Sequence, residues 1–234
     1  MTARLRIDPH VHSEESYDGN EPVELILEHA ADIGLDGVVI TDHDEIDASL
    51  RAAERASDHG LIGVPGVEVS TSHGHLLAIG VEEKPPKRQP FAETVERVRE
   101  LGGAAVVPHP FQRTRHGVKK KRIVDCDGVE VYNAWLFTGY RNRRARSFAY
   151  RRGYPRLGGS DAHSITTVGR AYTEIDVGEE RGDVTADDVV TAIKNGDTSI
   201  HGRRAPITRS AYHYLKASVR KTAWAVRATA TRFL

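Results

Sequence analysis

The sequence predicts an α/β fold whose strands form a barrel with one functional face. Short runs rich in valine, isoleucine and leucine alternate with amphipathic segments, which is typical of βα units around a parallel sheet. Polar residues follow these apolar runs at their carboxyl ends, where the functional face of an α/β barrel lies. Since 234 residues can bury one large core, we expect a single main domain.

Eight strands are predicted from apolar runs that end at glycine, proline or polar residues. In chain order, they cover residues 5–10, 37–41, 61–69, 75–81, 103–107, 128–132, 156–160 and 171–176. Five helices are predicted between or after them. The first begins at Pro22, because proline is favoured in a first helical turn, and ends before Gly34. The other four cover residues 47–59, 90–101, 141–152 and 185–195.

The composition argues against a membrane protein and a disulfide-stabilised secreted protein. Apolar residues make up 39% of the chain, and no apolar run approaches the length of a membrane span. The single cysteine, Cys126, excludes an internal disulfide, and residues 1–7 lack the apolar centre of a secretory signal. We therefore expect a soluble cytoplasmic protein.

The net charge of zero conceals a basic segment near residue 234. Residues 203–234 contain eight lysine or arginine residues and no acidic residue, and apolar residues recur among them at helical spacing. We therefore expect a main domain over residues 1–206 and a basic helical extension over residues 207–234 that packs on it. Contact with RNA or lipid is the alternative role for this helix.

Histidine and carboxylate side chains recur at the predicted strand ends. His10 and His12 occupy alternate positions of an extended segment and so share one face, and the same holds for Asp161 and His163. His43 follows the second predicted strand. A lone histidine is more often an ordinary surface or packing residue, but this recurrence predicts a metal site, since imidazole and carboxylate bind zinc, manganese or iron.

Short motifs built on these residues follow one another along the chain. They are HVHS at 10–13, SYDG at 16–19, ITDHD at 40–44, PGVEVS at 65–70, PHP at 108–110, EVYN at 130–133 and GSDAHS at 159–164. Over about residues 4–175, their order resembles the polymerase and histidinol phosphatase (PHP) family of metal-dependent phosphoesterases. The resemblance implies a distorted TIM-like barrel of about seven βα units, which here carries the additional basic helix. It also implies two or three divalent metal ions, manganese, iron or zinc, at the strand ends.

The resemblance further implies a set of nine metal ligands. One ion would be held by His10, His12, Glu68 and Asp161, a second by Asp18, His43 and His163, and a third by Glu68, His75 and His109. Strand register decides whether His75 or the nearby His73 points inward. A carboxylate at Asp18, where some members have histidine, favours manganese or iron over zinc alone. Asp42 is expected to orient His43 rather than to bind metal.

The chemistry implied is hydrolysis of a phosphomonoester or phosphodiester of a small metabolite or nucleotide. The nucleophile would be a metal-bridging hydroxide held by Glu68, His10, His12 and Asp161. Basic residues that follow the strand ends are candidates for binding substrate phosphate: Arg113, Arg115, His116, Arg143 and Arg170, with a basic run at 119–122 beside them. Two alternatives stay open, an exonuclease that trims short RNA or DNA and a non-catalytic metal-binding scaffold.

Overall fold

The computed structural model describes residues 3–112, 116–136 and 138–203. The extension predicted over residues 207–234 lies outside this range, so its helix and its packing stay predictions. Arg113 and Arg115 also lie outside the described residues. Among the described helices, none combines the length and the apolar character that crossing a bilayer requires.

Nine strands and five helices make up the described part of the chain. The strands are β1 (Ala3–Val11), β2 (Gly37–Ile40), β3 (Gly66–Thr71), β4 (Gly74–Ile79), β5 (Ala104–Val107), β6 (Gly128–Asn133), β7 (Arg156–Gly159), β8 (Ala171–Val177) and β9 (Thr198–Gly202). The helices are α1 (Val23–Asp32), α2 (Asp47–Arg55), α3 (Phe91–Glu100), α4 (Gly139–Arg152) and α5 (Ala186–Asn195). All eight predicted strands and all five predicted helices overlap an observed element.

The strands form two sheets, so the predicted TIM-like barrel is wrong for the described residues. One sheet has the order β2-β1-β8-β9 and the other the order β3-β4-β5-β6-β7. Between them, the described residues form only isolated bridges, such as those joining His43 to Glu68 and Val11 to Ala162. The fold is therefore a mixed α/β fold of two sheets and five helices, without a closed barrel.

Antiparallel pairing explains why the βα repeat is broken. β3 and β4 form a hairpin with no helix between them, and β4 pairs antiparallel with β5. In the other sheet, β8 runs antiparallel to both β1 and β9. A βα barrel needs parallel neighbours all the way round. Only β1 with β2, β5 with β6 and β6 with β7 meet that requirement.

Two strand predictions differ from the structure in detail. β3 begins at Gly66 rather than at residue 61, because Pro65 has no N–H to donate to a ladder and a Cβ at Gly63 would overlap the backbone of Ala53 in α2. β9 was not predicted. Its residues are half-buried or exposed, so it lacks the apolar run by which the other strands are recognised.

The helices pack on the sheets through ordinary apolar contacts, and polar residues gather at the strand ends. Ile26 of α1 belongs to a core cluster with Ile40 of β2, and Ile193 of α5 belongs to another with Ile175 of β8. The buried polar side chains include every histidine and carboxylate of the first predicted ion site, namely His10, His12, Glu68 and Asp161. The apolar packing therefore holds the strands in place, and the predicted metal ligands lie at or near the strand ends.

Candidate metal centre

The end of β1 is joined directly to the residues that follow β7. The His12 N–H donates to the Ala162 carbonyl at 2.8 Å, and the Ala162 N–H donates to the His10 carbonyl at 3.3 Å. This bridge brings Asp161 Oδ1 to 3.5 Å from His10 Nε2 and 3.4 Å from His12 Nε2. The two imidazole nitrogens lie 3.2 Å apart. Three ligand atoms from distant parts of the chain therefore converge on one point.

Glu68 of β3 lies at the centre of the cluster and is fully buried. Its Oε1 lies 2.8 Å from His75 Nδ1 and 3.0 Å from His109 Nε2. Its Oε2 lies 3.0 Å from His43 Nδ1 and 3.6 Å from His10 Nε2. The two oxygens thus face different histidines, which is the arrangement of a carboxylate that can bridge neighbouring ions.

Asp18 joins a further group of ligands from the loop after β1. Its Oδ2 lies 3.4 Å from His43 Nε2 and 3.3 Å from His163 Nε2. The Ser16 hydroxyl donates to its other oxygen at 2.8 Å. A Cβ at Gly19 would overlap the Ser13 carbonyl, so this loop needs glycine to hold Asp18 where it is.

The nine predicted ligands all lie in one connected cluster. They form four overlapping groups, each compact enough for one ion: His12, Asp18, His43 and His163; His10, His12 and Asp161; His10, Glu68 and His109; and His43, Glu68 and His75. The grouping differs from the predicted one. His12 also joins the Asp18 group, and His75 and His109 lie in separate groups that share Glu68, one with His43 and the other with His10. His75 belongs to the cluster, whereas the Nδ1 of the half-buried His73 lies 2.9 Å from the hydroxyl of Ser72. Which ligand serves which ion stays a prediction.

Unpaired buried atoms show that the cluster fits divalent cations. Among the described residues, His43 Nδ1, Glu68 Oε2 and His109 Nδ1 are buried without a hydrogen-bond partner. Such an atom costs about 1–3 kcal/mol. His43 Nδ1 and Glu68 Oε2 are 3.0 Å apart but are not aligned as donor and acceptor. Two ligands of one ion, each about 2.1 Å from it, lie roughly 3.0–3.4 Å apart, so a shared cation fits between these atoms.

Glu130 and Asn133 of β6 orient the cluster from outside. Glu130 Oε1 accepts a hydrogen bond from His10 Nδ1 at 3.0 Å, which leaves the Nε2 lone pair of His10 free for a metal. Its Oε2 accepts from the His109 N–H at 2.7 Å and from Asn133 Nδ2 at 2.9 Å. Asn133 Nδ2 also donates to Asp161 Oδ2 at 3.0 Å. The motif EVYN was the only sequence signal for these positioning residues.

Asp42 supports the cluster in a different way from the one predicted. Its Oδ1 accepts a hydrogen bond from the Ser13 N–H at 2.7 Å, and its Oδ2 accepts from the Ser13 hydroxyl. Burial raises the pKa of Asp42 to about 6. The residue therefore ties the end of β2 to the loop after β1, and its described hydrogen bonds do not include the imidazole of His43.

Burial and neighbouring charges divide the imidazoles into neutral and charged groups. Burial lowers the pKa of His12 to about 4, and His163 acts in the same direction, so His12 is neutral at pH 7. Burial also disfavours a charge on His43, but Glu68 and Asp18 raise its pKa to about 10. Despite its burial, Glu68 has a pKa well below the usual range because His75, His43 and His10 surround it. Protonated histidines thus balance the negative charge of the carboxylates, which bound divalent cations would otherwise neutralise.

The predicted phosphate-binding residues are dispersed in the structure. His116 Nδ1 lies 3.0 Å from His75 Nε2, at the edge of the cluster, and burial lowers the pKa of His116 to about 3. Arg143 is exposed on α4, and Arg170 Nε donates to the Thr166 carbonyl at 3.2 Å. Of the described members of that set, only His116 is placed within hydrogen-bond distance of a predicted ligand.

A cleft of about 580 Å³ opens beside His75 and His116. Tyr17 also lines it, and the Tyr17 ring stacks on His43 with centroids 4.6 Å apart. The remaining lining residues are Asp44, which follows β2, and residues from the β3–β4 hairpin and from two basic segments, at 87–88 and 117–122. The cleft is therefore continuous with the metal-ligand cluster.

Comparisons with known proteins match nearly the whole described chain to one family. The family model described as PHP domain matches residues 8–142, and the model described as PHP-associated matches residues 139–198. An uncharacterized protein of Methanocaldococcus jannaschii is 30% identical over 152 residues, which cover 60% of this chain and 89% of that protein.

An enzyme and a solved structure extend this similarity. A phosphoribosyl 1,2-cyclic phosphate 1,2-diphosphodiesterase of Eggerthella lenta is 39% identical over 85 residues, which cover 34% of this chain and 32% of that enzyme. A two-domain Bacteroides vulgatus protein containing a predicted PHP-like metal-dependent phosphoesterase has a TM-score of 0.70 and 19% identity. That match covers 86% of this chain and 66% of the other, and at this identity it shows similarity of fold alone.

Proposed function

The chain belongs to the PHP family of metal-dependent phosphoesterases, and we propose that it hydrolyses a phosphomonoester or phosphodiester of a small metabolite or nucleotide. The observation that carries the proposal is the convergence of nine predicted metal ligands, Glu68 among them, in one cluster where unpaired nitrogen and oxygen atoms face each other. A buried cluster of this kind is costly unless cations fill it.

In the division that the family resemblance implies, His10, His12, Glu68 and Asp161 would hold one ion, Asp18, His43 and His163 a second, and Glu68, His75 and His109 a third. The unpaired His43 Nδ1 faces Glu68 Oε2, so Glu68 can also reach an ion at His43. Manganese, iron or zinc fits these nitrogen and oxygen donors, and the carboxylate of Asp18 favours manganese or iron. When bound, such ions lower the pKa of water to near neutrality and neutralise charge on a phosphate group.

The protein residues around the ions hold this arrangement in place. Glu130 keeps the hydrogen of His10 on Nδ1, so that Nε2 points at the cluster as a lone-pair donor. Asn133 holds Asp161 by its second oxygen, which leaves Oδ1 facing His10 and His12. Glu68 and His10 are fully buried, so this end of the cluster is shielded from bulk water.

The matched part of the Eggerthella lenta enzyme supports phosphoester chemistry on a small molecule. A nuclease acting on short RNA or DNA is the second candidate, because lysine and arginine residues line the cleft next to the cluster. A non-catalytic scaffold receives no support from the cluster, since every predicted ligand position still carries a competent side chain.

The proposal is tested by loading the purified chain with manganese, iron or zinc and measuring hydrolysis of phosphomonoesters, cyclic and linear phosphodiesters, and short RNA. We expect activity that Asp161→Asn lowers by more than about a hundredfold, because removing a ligand costs at least as much as removing an outer partner. Asp176→Asn, on the exposed end of β8, is the matched control and keeps full activity. Full activity in Asp161→Asn, or none in the loaded wild type, contradicts the proposal.

A further inference from the structure

We propose that the cleft beside His75 binds a second phosphate group of the same substrate, so that the substrate carries at least two phosphates. This inference rests on the proposed function, because it takes the reacting phosphate to lie at the metal-ligand cluster. It concerns side chains that no metal assignment uses, and it narrows the substrate class from phosphoesters in general to polyphosphorylated molecules.

The charges that line the cleft are strongly unbalanced. Five cationic side chains face one carboxylate, that of Asp44. The cations are Lys87, Arg88, Lys119, Lys121 and Arg122. The Asp44 carboxylate is engaged, since its Oδ1 accepts the Ser70 N–H at 2.7 Å. The cleft therefore presents a concentrated positive charge that a dianionic phosphate would neutralise.

In the described part of the chain, these cations lack the carboxylate partners that some other lysine and arginine residues have. Lys84 pairs with Glu45 at 3.0 Å, and Arg99 pairs with Asp127 at 2.8 Å. Within residues 3–112, 116–136 and 138–203, none of the five cleft cations forms an ion pair. Five unneutralised cations in one concave site repel one another, and a bound polyanion would relieve that repulsion.

One wall of the cleft is fixed to the end of β3. Arg88 has a left-handed backbone with φ of 65°, a conformation that favours glycine. Its N–H donates to the Ser70 carbonyl at 2.6 Å, and the Ser72 N–H donates to the Gln89 carbonyl at 2.9 Å. These bonds hold the segment against the hairpin in spite of the strain, and they place Arg88 on the wall of the cleft.

The other wall is fixed to the metal-ligand cluster itself. The His75 N–H donates to the His116 carbonyl at 2.9 Å, so the segment that carries Lys119 and Lys121 is hydrogen-bonded to a predicted ligand. Gly74 permits this approach, because a Cβ there would lie 2.9 Å from the Val118 nitrogen and the φ of 122° suits glycine. Because His75 both lines the cleft and belongs to the cluster, a phosphate bound in the cleft would lie beside one at the cluster.

The second phosphate can come from two sources with the same chemistry. A small molecule can carry it on another oxygen of the same sugar, and an oligonucleotide supplies it as the next phosphodiester. Binding of analogues whose phosphates are replaced by non-hydrolysable phosphonates separates the two, and it is measured on manganese-loaded full-length protein. Calorimetry would compare the analogues of adenosine with one phosphate, of adenosine with phosphates on two ribose oxygens, and of a pentanucleotide, in the wild type and in cleft variants.

We expect the bisphosphate to bind at least about tenfold more tightly than the monophosphate, as for one added charge-assisted contact. Arg88→Gln and Lys121→Gln should each lower the ratio of bisphosphate affinity to monophosphate affinity by about tenfold. Each should also make bisphosphate binding less dependent on salt concentration. Arg152→Gln, an exposed arginine at the end of α4 and outside the cleft lining, is the control and leaves both unchanged. The tighter of the bisphosphate and the pentanucleotide identifies the source of the second phosphate.

The inference is overturned if neither the bisphosphate nor the pentanucleotide binds more tightly than the monophosphate, or if both cleft variants keep the wild-type preference. Thermal denaturation of the variants shows that they fold, which is expected because both side chains are exposed. The outcome is separate from that of the proposed function. If the chain binds the bisphosphate through the cleft but hydrolyses nothing when loaded with metal, the second-phosphate inference stands and the phosphoesterase proposal is refuted.

Discussion

Replacing Glu130 by glutamine would test how far the metal centre depends on residues outside its ligands. In Glu130→Gln, the side-chain amide has one acceptor where the carboxylate has two. If its NH₂ faces His10, then Nδ1 of His10 loses its acceptor and the imidazole hydrogen is favoured on Nε2, the nitrogen that faces the cluster. If its NH₂ faces His109 and Asn133, three donors meet. The first placement replaces the lone pair that faces the cluster by an N–H, and the second leaves buried donors without an acceptor.

The expected loss can be worked out from these contacts. Outer partners of this kind contribute about 10–100-fold to metal affinity. At a manganese concentration one hundred times the wild-type Kd, binding stabilises the folded chain by about 2.7 kcal/mol, and this falls to about 1.4 or 0.4 kcal/mol after a tenfold or hundredfold loss. Since about 1 kcal/mol shifts the Tm of a domain this size by about 2–4 °C, the manganese-induced rise falls from about 5–11 °C to about 1–6 °C.

Thermal denaturation followed by circular dichroism, after chelation and manganese titration, measures this rise. Glu174→Gln is a matched control, because Glu174 Oε2 lies 2.9 Å from His201 Nε2 on the β8–β9 pair, outside the cluster. We expect the control to keep the wild-type rise. A full rise in Glu130→Gln at the same manganese concentration would refute the reasoning that this carboxylate fixes the tautomer of His10.

Three further predictions follow from the same structure. Gly159→Ala should weaken manganese binding measured by calorimetry, because the added Cβ would lie 2.7 Å from Glu130 Oε1. Gly178→Ala is the control and should bind manganese as the wild type does, because its Cβ meets nothing within 4 Å. Equal manganese affinities in the two variants would contradict this prediction. Burial raises the pKa of Cys126 to about 12, so about one thiol in ten thousand is ionised at pH 8, and a thiol reagent should label the protein rapidly only after unfolding. Rapid labelling of the native chain would contradict that burial. Thr185→Ala removes the capping box of α5 and should lower the Tm by about 2–4 °C through a loss of about 1 kcal/mol, with no change in the manganese-induced rise. A smaller rise in that variant would show coupling between α5 and the cluster.

Some of the metal-ligand candidates could be predicted from local geometry, whereas the full set of nine came from the family resemblance. His10 and His12 share a strand face by the two-residue period, and Asp161 and His163 stand together at the end of β7. Buried strand ends are also easy to recognise, since each follows a run of apolar residues. The sequence alone did not decide whether His75 or His73 faces the cluster, because that depends on strand register. The pairing of β3 with β4 fixes the register.

The direction of the strands could not be predicted from the same pattern. β4 is buried along its whole length, and a fully buried strand has the same apolar run whether its neighbours are parallel or antiparallel. The short connection between β3 and β4 was therefore the only sign of a hairpin, and the barrel expected from the family resemblance was wrong for the described residues. The roles of Glu130 and Asn133 were also missed, because their partners lie far away in sequence.

The bridge between Val11 and Ala162 means that the predicted metal centre joins segments that are synthesised at different times. Asp161 leaves the ribosome roughly 7–30 s after His10 and His12 at ordinary rates of translation. During that interval the nascent chain offers imidazoles without the carboxylate that completes their group. Lasting capture of an ion by this group would therefore wait until Asp161 has been made, and it would then join β1 to the segment that follows β7.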